Sequence, residues 1–218
     1  MTDLTGNIFF DGPAGRIEAI LKEPAQTALR AAAVCHPHPL FGGTMHNKVV
    51  YRIAKAFHQA GFAVLRFNFR GTGRSQGDYD EGRGEQDDLR AAITFLEEKY
   101  PGAEVWLAGF SFGARVMLQA ACEKAKQEDF ARVRAFIAAG TPISRYDFDG
   151  LLFCSAPRLF VQGALDEFGS VADLERLIAR MAGSSSLKVI DGADHFFDGR
   201  LDELAQSVSE FISSIEGG

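Results

Sequence analysis

The sequence predicts an α/β fold in which a mostly parallel sheet of about eight strands is covered by helices on both faces. Two observations point there. Short apolar runs rich in strand formers alternate with stretches of helical periodicity along the chain. A length of 218 residues, 46% hydrophobic and 24% charged, suits one undivided α/β domain, and no repeat, low-complexity tract or Pro/Gly-rich linker breaks it, so residues 1–218 are read as a single domain.

The elements follow in order. NIFFDG and GRIEAILKEP flank a Gly-Pro-Ala-Gly turn and read as an antiparallel hairpin at one sheet edge. The remaining strands are expected at AAAVCH (31–36), FAVLRFNF (62–69), EVWLAGF (104–110), VRAFIAA (133–139), RLFVQG (158–163) and LKVID (187–191). Between them, Val50, Ile53, Ala54 and Phe57 share a helical face, FGARVMLQAACEKA reads as a helix, and Leu174, Leu177, Ile178 and Met181 form another stripe. Ser170 with Asp173 has the spacing of a capping box at the start of that stripe. Leu201, Leu204, Val208, Phe211 and Ile215 make the last helical stripe.

Charge and composition exclude several functions. The formal net charge of −6 comes from 29 acidic and 23 basic residues scattered without a basic run, so nucleic acid is not an expected partner. The start MTDLTGNIFFDG lacks a basic region followed by an apolar one, and no apolar run reaches membrane-spanning length, so the expectation is a cytoplasmic protein without a membrane partner. Cys35, Cys122 and Cys154 are odd in number and lack CxxC or zinc spacing, and are read as reduced, mostly buried thiols.

The stretch GFSFG, Gly109 to Gly113, directly follows the strand EVWLAGF and opens a helix. That is the setting of a nucleophile elbow, in which a strained turn lifts Ser111 clear of the sheet and side chains at Gly109 or Gly113 would crowd the neighbouring strand and helix. The turn aims the first helical amides, Phe112 among them, at whatever the serine attacks. Alone, GFSFG is equally a plain strand-to-helix junction with a capping serine. A serine hydroxyl also needs a base, and the base needs an acid to hold its tautomer. RLFVQGALDEFG places Asp166 just past one strand, and LKVIDGADHFF places His195 past the next, both at the carboxyl edge of the sheet that carries Ser111. Asp191 and Asp194 also lie near His195 in sequence, but a carboxylate at the end of the preceding parallel strand is better placed alongside the imidazole.

With the order Ser, Asp, His, and with HPHPLFGG at 36–43, FNFRGTGRSQG at 67–77, ALDE and GADHFF, the sequence resembles the α/β-hydrolase superfamily, most closely its small dienelactone-hydrolase-like members. The resemblance implies a serine hydrolase that uses no metal and no organic cofactor. Its expected partners are a small-molecule acyl substrate and water; the oligomeric state is left open. By register with the family's oxyanion loop, the backbone N–H of His38 joins that of Phe112 in the oxyanion hole. Pro37 and Pro39 have no N–H to give, and Leu40 is the next candidate. Leu40, Phe41 and Phe196 are expected to shape the substrate pocket, whereas Phe110 is expected in the core.

The activity expected is cleavage of small esters or thioesters through an acyl-enzyme. Peptidase or lactonase chemistry on the same residues, or a non-catalytic binding role for the fold, are the alternatives. GTGRSQG does not complete a dinucleotide fingerprint, since Gln76 stands where the last glycine belongs, so Arg70 and Arg74 are read as ion-pair or site-edge residues. His36 and His38 could in principle ligate a metal, but no third ligand completes a recognisable pattern. Between the sixth and seventh strands lies only Gly140 to Pro157, enough for one brief helix near Tyr146 to Phe153 and too short for a lid domain.

Overall fold

The computed structural model describes residues 7–122, 130, 133–148 and 156–216. Among them, eight strands form one sheet in the order β1-β2-β4-β3-β5-β6-β7-β8. The strands are β1 Asn7–Gly12, β2 Gly15–Lys22, β3 Arg30–Cys35, β4 Ala63–Phe67, β5 Glu104–Phe110, β6 Val133–Ala139, β7 Arg158–Gly163 and β8 Ser185–Ile190. β1 and β2 form the expected hairpin, closed by the Gly12–Gly15 pair, and β2 runs antiparallel to β4; every other pairing is parallel.

Alternation along the central strands builds a core on each face of the sheet. Ala31, Ala33 and Cys35 of β3 and Val105 and Leu107 of β5 pack with helices α2 (Arg83–Lys99), α3 (Phe112–Cys122) and α4 (Val171–Ile178). Ala32 and Val34, with Trp106, Ala108 and Phe110, face α1 (Lys48–Gln59) and α5 (Leu201–Glu216). Small residues in β3 let the helices approach the middle of the sheet, while the aromatic residues of β5 fill the space beside it. No helix among the described residues is long and apolar enough to cross a membrane. Cys35 is a buried free thiol whose pKa burial pushes up, and the side chains of Cys122 and Cys154 lie outside the described residues.

Some elements differ from the sequence expectation. Helix α2 has no counterpart in it, although Leu89, Ala92, Ile93 and Leu96 form a buried helical stripe; the N-terminal part of the same face buries Glu85 and Asp88. Both carboxylates are spent. Glu85 accepts the backbone N–H groups of Asp80 and Gly82 at 2.9 and 2.7 Å, capping the helix. Asp88 pairs with Arg70 at 2.8 Å and accepts its backbone N–H at 2.9 Å, making Arg70 a structural ion-pair partner. Arg74 instead lies over the Phe9 ring. α4 ends at Ile178, so Met181 is buried beyond the helix rather than on it. Ser170 caps α4 through the Asp173 N–H, but its hydroxyl also bonds the Asp173 carboxylate, so the reciprocal arm of a capping box is missing. Of the brief helix expected near Tyr146, residues 146–148 are not helical and residues 149–155 lie outside the described residues.

β4 stops two residues short of its expected end because Ser75 interrupts its ladder with β2: the Ser75 hydroxyl accepts the Glu18 N–H at 3.0 Å and donates to the Asn68 carbonyl at 2.7 Å. Asn68 N–H goes to the Glu18 carbonyl at 2.9 Å, and Phe69 N–H goes to His36 Nε2 at 3.0 Å. Since His36 Nε2 must accept, the proton sits on Nδ1, which donates to the Pro37 carbonyl at 2.6 Å. Burial lowers the pKa of this ring from 6.5 to about 4. The sign follows from linkage: the unfolded chain takes up a proton below pH 6.5, the folded protein not until about pH 4, so this contribution is complete above pH 6.5 and is lost as pH falls through that window. It should amount to about 3 kcal/mol. Urea unfolding between pH 7 and 4 should show wild type losing stability more steeply than His36→Asn; parallel pH profiles would contradict the neutral, doubly bonded ring.

Candidate active site

Ser111 sits between β5 and α3 with φ of +55°, a left-handed backbone that costs a non-glycine residue about 1–3 kcal/mol. Its N–H is fixed to the Ala139 carbonyl of β6 at 2.9 Å. The turn is possible only because both fencing glycines are in near contact with backbone. A Cβ on Gly109 would lie 2.5 Å from the Gly113 carbonyl group, and one on Gly113 would lie 2.5 Å from the Cys35 and His36 carbonyl oxygens. The first turn of α3 therefore rests on the carboxyl end of β3, which brings the 36–43 loop beside the serine.

His195 follows β8 and Asp166 follows β7. The two loops are tied together by the Ala164 and Leu165 N–H groups, which donate to the Ile190 and Ala193 carbonyls. His195 Nε2 lies 2.9 Å from Ser111 Oγ and Nδ1 lies 2.8 Å from Asp166 Oδ2. Asp166 is held in turn: Oδ1 accepts the Phe168 and Gly169 N–H groups at 2.8 and 3.2 Å, and Oδ2 accepts Gln162 Nε2 at 2.8 Å. With its acceptor oxygens occupied in this way the carboxylate has one orientation. Asp194 is occupied elsewhere, since its Oδ1 accepts the Phe196 and Asp198 N–H groups and shapes the turn after His195. The imidazole packs against Phe110 and Phe168, with ring centroids 5.1 and 4.6 Å away.

Gln162 has no counterpart in the sequence expectations. Its fully buried side chain also accepts the Thr141 N–H at 2.9 Å and donates to the Gly169 carbonyl at 2.9 Å, joining the loops after β6 and β7 behind the carboxylate. The available signal was an amide inside the otherwise apolar run RLFVQG, where a buried polar group must have partners.

The turn after β3 spends nearly all its backbone donors on itself. From Pro37 to Gly43, Leu40 N–H bonds His38 Nδ1 at 3.2 Å, Phe41 and Gly43 N–H bond the His38 carbonyl, and Gly42 N–H bonds the Pro39 carbonyl. Only the N–H of His38 is left, and it and the N–H of Phe112 find no acceptor among the described residues. Leu40, the other candidate donor, is thus committed. The Pro37 carbonyl, the other end of the peptide that carries the His38 N–H, is held by His36 Nδ1. Both histidine rings have their nitrogens engaged, His38 Nε2 by the Tyr79 hydroxyl at 3.1 Å. Among the described residues no cluster of three or more His, Cys, Asp or Glu could hold a metal ion.

Ser111, His195, His38 and Phe112 open on a cavity of about 480 Å³. Phe41 and Phe196 line it, joined by Pro142, Arg145, Tyr146 and Phe168 from the loops after β6 and β7. Leu40 does not; it is 66% exposed and absent from the wall, because the short helical turn Pro39–Phe41 turns Phe41 toward the cavity and Leu40 to solvent. Phe110 is fully buried.

The model of the alpha/beta hydrolase domain family matches residues 32–214. The chain belongs to the α/β-hydrolase family. An uncharacterized protein of Rickettsia prowazekii is 37% identical over 218 residues, covering 96% of this chain and 89% of that protein. The solved structure of an alpha-beta serine hydrolase homologue from Coxiella burnetii superimposes with a TM-score of 0.87 at 36% identity, covering 96% of this chain and 97% of the other. A Xanthomonas campestris protein, described as a serine hydrolase without lid, matches with a TM-score of 0.87 at 33% identity over 98% of this chain and 96% of its own. In this chain the first turn of α3 meets the carbonyls that end β3 directly at Gly113. Gly113→Ala should therefore destabilise this hydrolase by about 3 kcal/mol or more, read as a drop in thermal midpoint, because the methyl meets fixed carbonyls rather than a mobile side chain; an unchanged midpoint would contradict the close approach of α3 to β3.

Proposed function

We propose that this hydrolase cleaves small, soluble acyl esters or thioesters by acyl transfer through Ser111 to water. The observation that carries the reading is the continuous hydrogen-bonded chain from Ser111 Oγ through His195 to Asp166, at 2.9 and 2.8 Å, opening on the cavity. His195 Nε2 accepts the Ser111 proton as Oγ attacks the carbonyl carbon, and Asp166 keeps the imidazole in the tautomer with its proton on Nδ1 and stabilises the cation that forms. The negative charge on the substrate oxygen is met by the N–H groups of Phe112 and His38. His195 then protonates the leaving alcohol or thiol, activates a water, and the acyl-enzyme is hydrolysed. Esters and thioesters are favoured over amides because their leaving groups need less help from the acid. The site needs no metal or organic cofactor on this reading. The dienelactone-hydrolase-like resemblance and a cytoplasmic location belong to the same proposal; the buried, unpaired Cys35 is consistent with a reducing compartment.

A fluorophosphonate probe should label Ser111. Ser111→Ala should abolish labelling and cut ester turnover by on the order of a million-fold. Asp166→Asn should cost on the order of ten-thousand-fold, and Asp194→Asn far less, since only the former holds the imidazole tautomer. Unchanged turnover in Ser111→Ala would defeat the mechanism, and a reversed order of the two aspartates would defeat the role given to Asp166.

The short span from Gly140 to Pro157, together with the likeness to a hydrolase described as lacking a lid, supports an open pocket. Chromogenic esters of short acids should be turned over faster than long-chain ones, and the rate should rise smoothly through the solubility limit of each substrate. Preference for long chains or a jump on emulsion formation would point to a deeper, mobile cover.

A further inference from the structure

We infer that the imidazole of His38 is a positioning residue, which by capping the turn that follows it presents its own backbone N–H to the substrate oxygen. The inference rests on the acyl-transfer reading above. Its basis is where the hydrogen bonds of one short turn go. The His38 carbonyl takes the N–H groups of Phe41 and Gly43 at 3.1 and 3.0 Å, and its Nδ1 takes the N–H of Leu40 at 3.2 Å. One residue therefore gathers three of the four amides that follow it. Were the ring absent, Leu40 N–H would lose its acceptor, and the Pro39–Phe41 turn would lose the side-chain cap at its start. The planar Pro37–His38 peptide would then be held only by the His36 bond at its carbonyl and could turn as a unit about that bond, carrying the His38 N–H with it.

The ring can do this in one state only. Because Nδ1 accepts from Leu40, the neutral ring carries its proton on Nε2 and donates it to the Tyr79 hydroxyl 3.1 Å away. Neighbouring rings fix its plane: Phe41, Phe112 and Tyr79 surround it with centroids 4.7, 4.8 and 5.1 Å away. Partial burial and the nearby Arg115 guanidinium lower its pKa, which favours this neutral form. The side chain thus touches no reacting atom; its effect passes through the backbone it holds.

The experiment compares three variants of the full chain on a short chromogenic ester, beside wild type and Ser111→Ala. His38→Asn puts a carboxamide oxygen where Nδ1 stands and can still accept Leu40 N–H, whereas His38→Gln reaches the place of Nε2 and cannot cap the turn. His38→Ala removes both. The expected result is a fall in kcat of about 10- to 100-fold for His38→Ala and His38→Gln, with KM within about twofold of wild type, and recovery of most of the loss in His38→Asn. Equal kcat in the Asn and Gln variants, or a loss confined to KM, would overturn the inference. Should His38→Ala fail to fold, the Asn and Gln pair still decides. If Ser111→Ala is as active as wild type, the acyl-transfer reading fails first and takes this inference with it. A Ser111-dependent activity indifferent to the Asn and Gln exchange defeats the inference alone.

Discussion

The left-handed backbone at Ser111 is the constraint from which the rest of the site follows. A non-glycine residue holds that conformation only when its surroundings fix it from several sides. Here they do so by direct backbone contact. Gly109 lies against Gly113, Gly113 lies against the carbonyls that end β3, and the Ser111 N–H is anchored to β6. The same contacts that strain the serine also draw α3 onto β3, and so set the distance between the serine and the 36–43 loop. Position and strain are one arrangement.

Around that fixed point the polar groups are held by partners that are themselves buried. His195 is ordered by Asp166, Asp166 by Gln162 and two backbone N–H groups, and Gln162 by Thr141 and Gly169. Loops after three successive strands meet in this network. Each group that would be costly to bury alone is satisfied by the next, and the satisfied network has little freedom to move. The cavity wall is different in kind. Five of its fourteen lining residues are Phe or Tyr, and one of them, Phe41, is 86% exposed.

The 36–43 turn joins these two regimes. Its two prolines remove donors, its two histidines take up backbone hydrogen bonds, and its glycines allow the chain to fold back within contact of Pro37. One amide, that of His38, is left without an acceptor among the described residues by the exhaustion of the others. In the proposed acyl transfer, peptide N–H groups rather than a dedicated side chain receive the negative charge.

The sequence by itself determined what depends on local pattern. Eight strands, the hairpin, four of the five described helices and the strand-end placement of Ser111, Asp166 and His195 were legible because alternation, helical stripes and strand-end positions are local signals, and a parallel sheet brings strand ends to one edge. The start of helix α2 was not, since Glu85 and Asp88 are buried there and are tolerated only through partners in the loop after β4, whereas its later stripe of Leu89, Ala92, Ile93 and Leu96 is itself a local signal. The tertiary structure alone decided the rest: that Gln162 stands behind Asp166, that Asp194 turns to its own loop, that Leu40 points outward with its amide already spent, and that Arg145 and Tyr146 come to line the cavity. These choices depend on which hydrogen-bond partner is nearest in space. That is fixed only when chain segments distant in sequence are packed together.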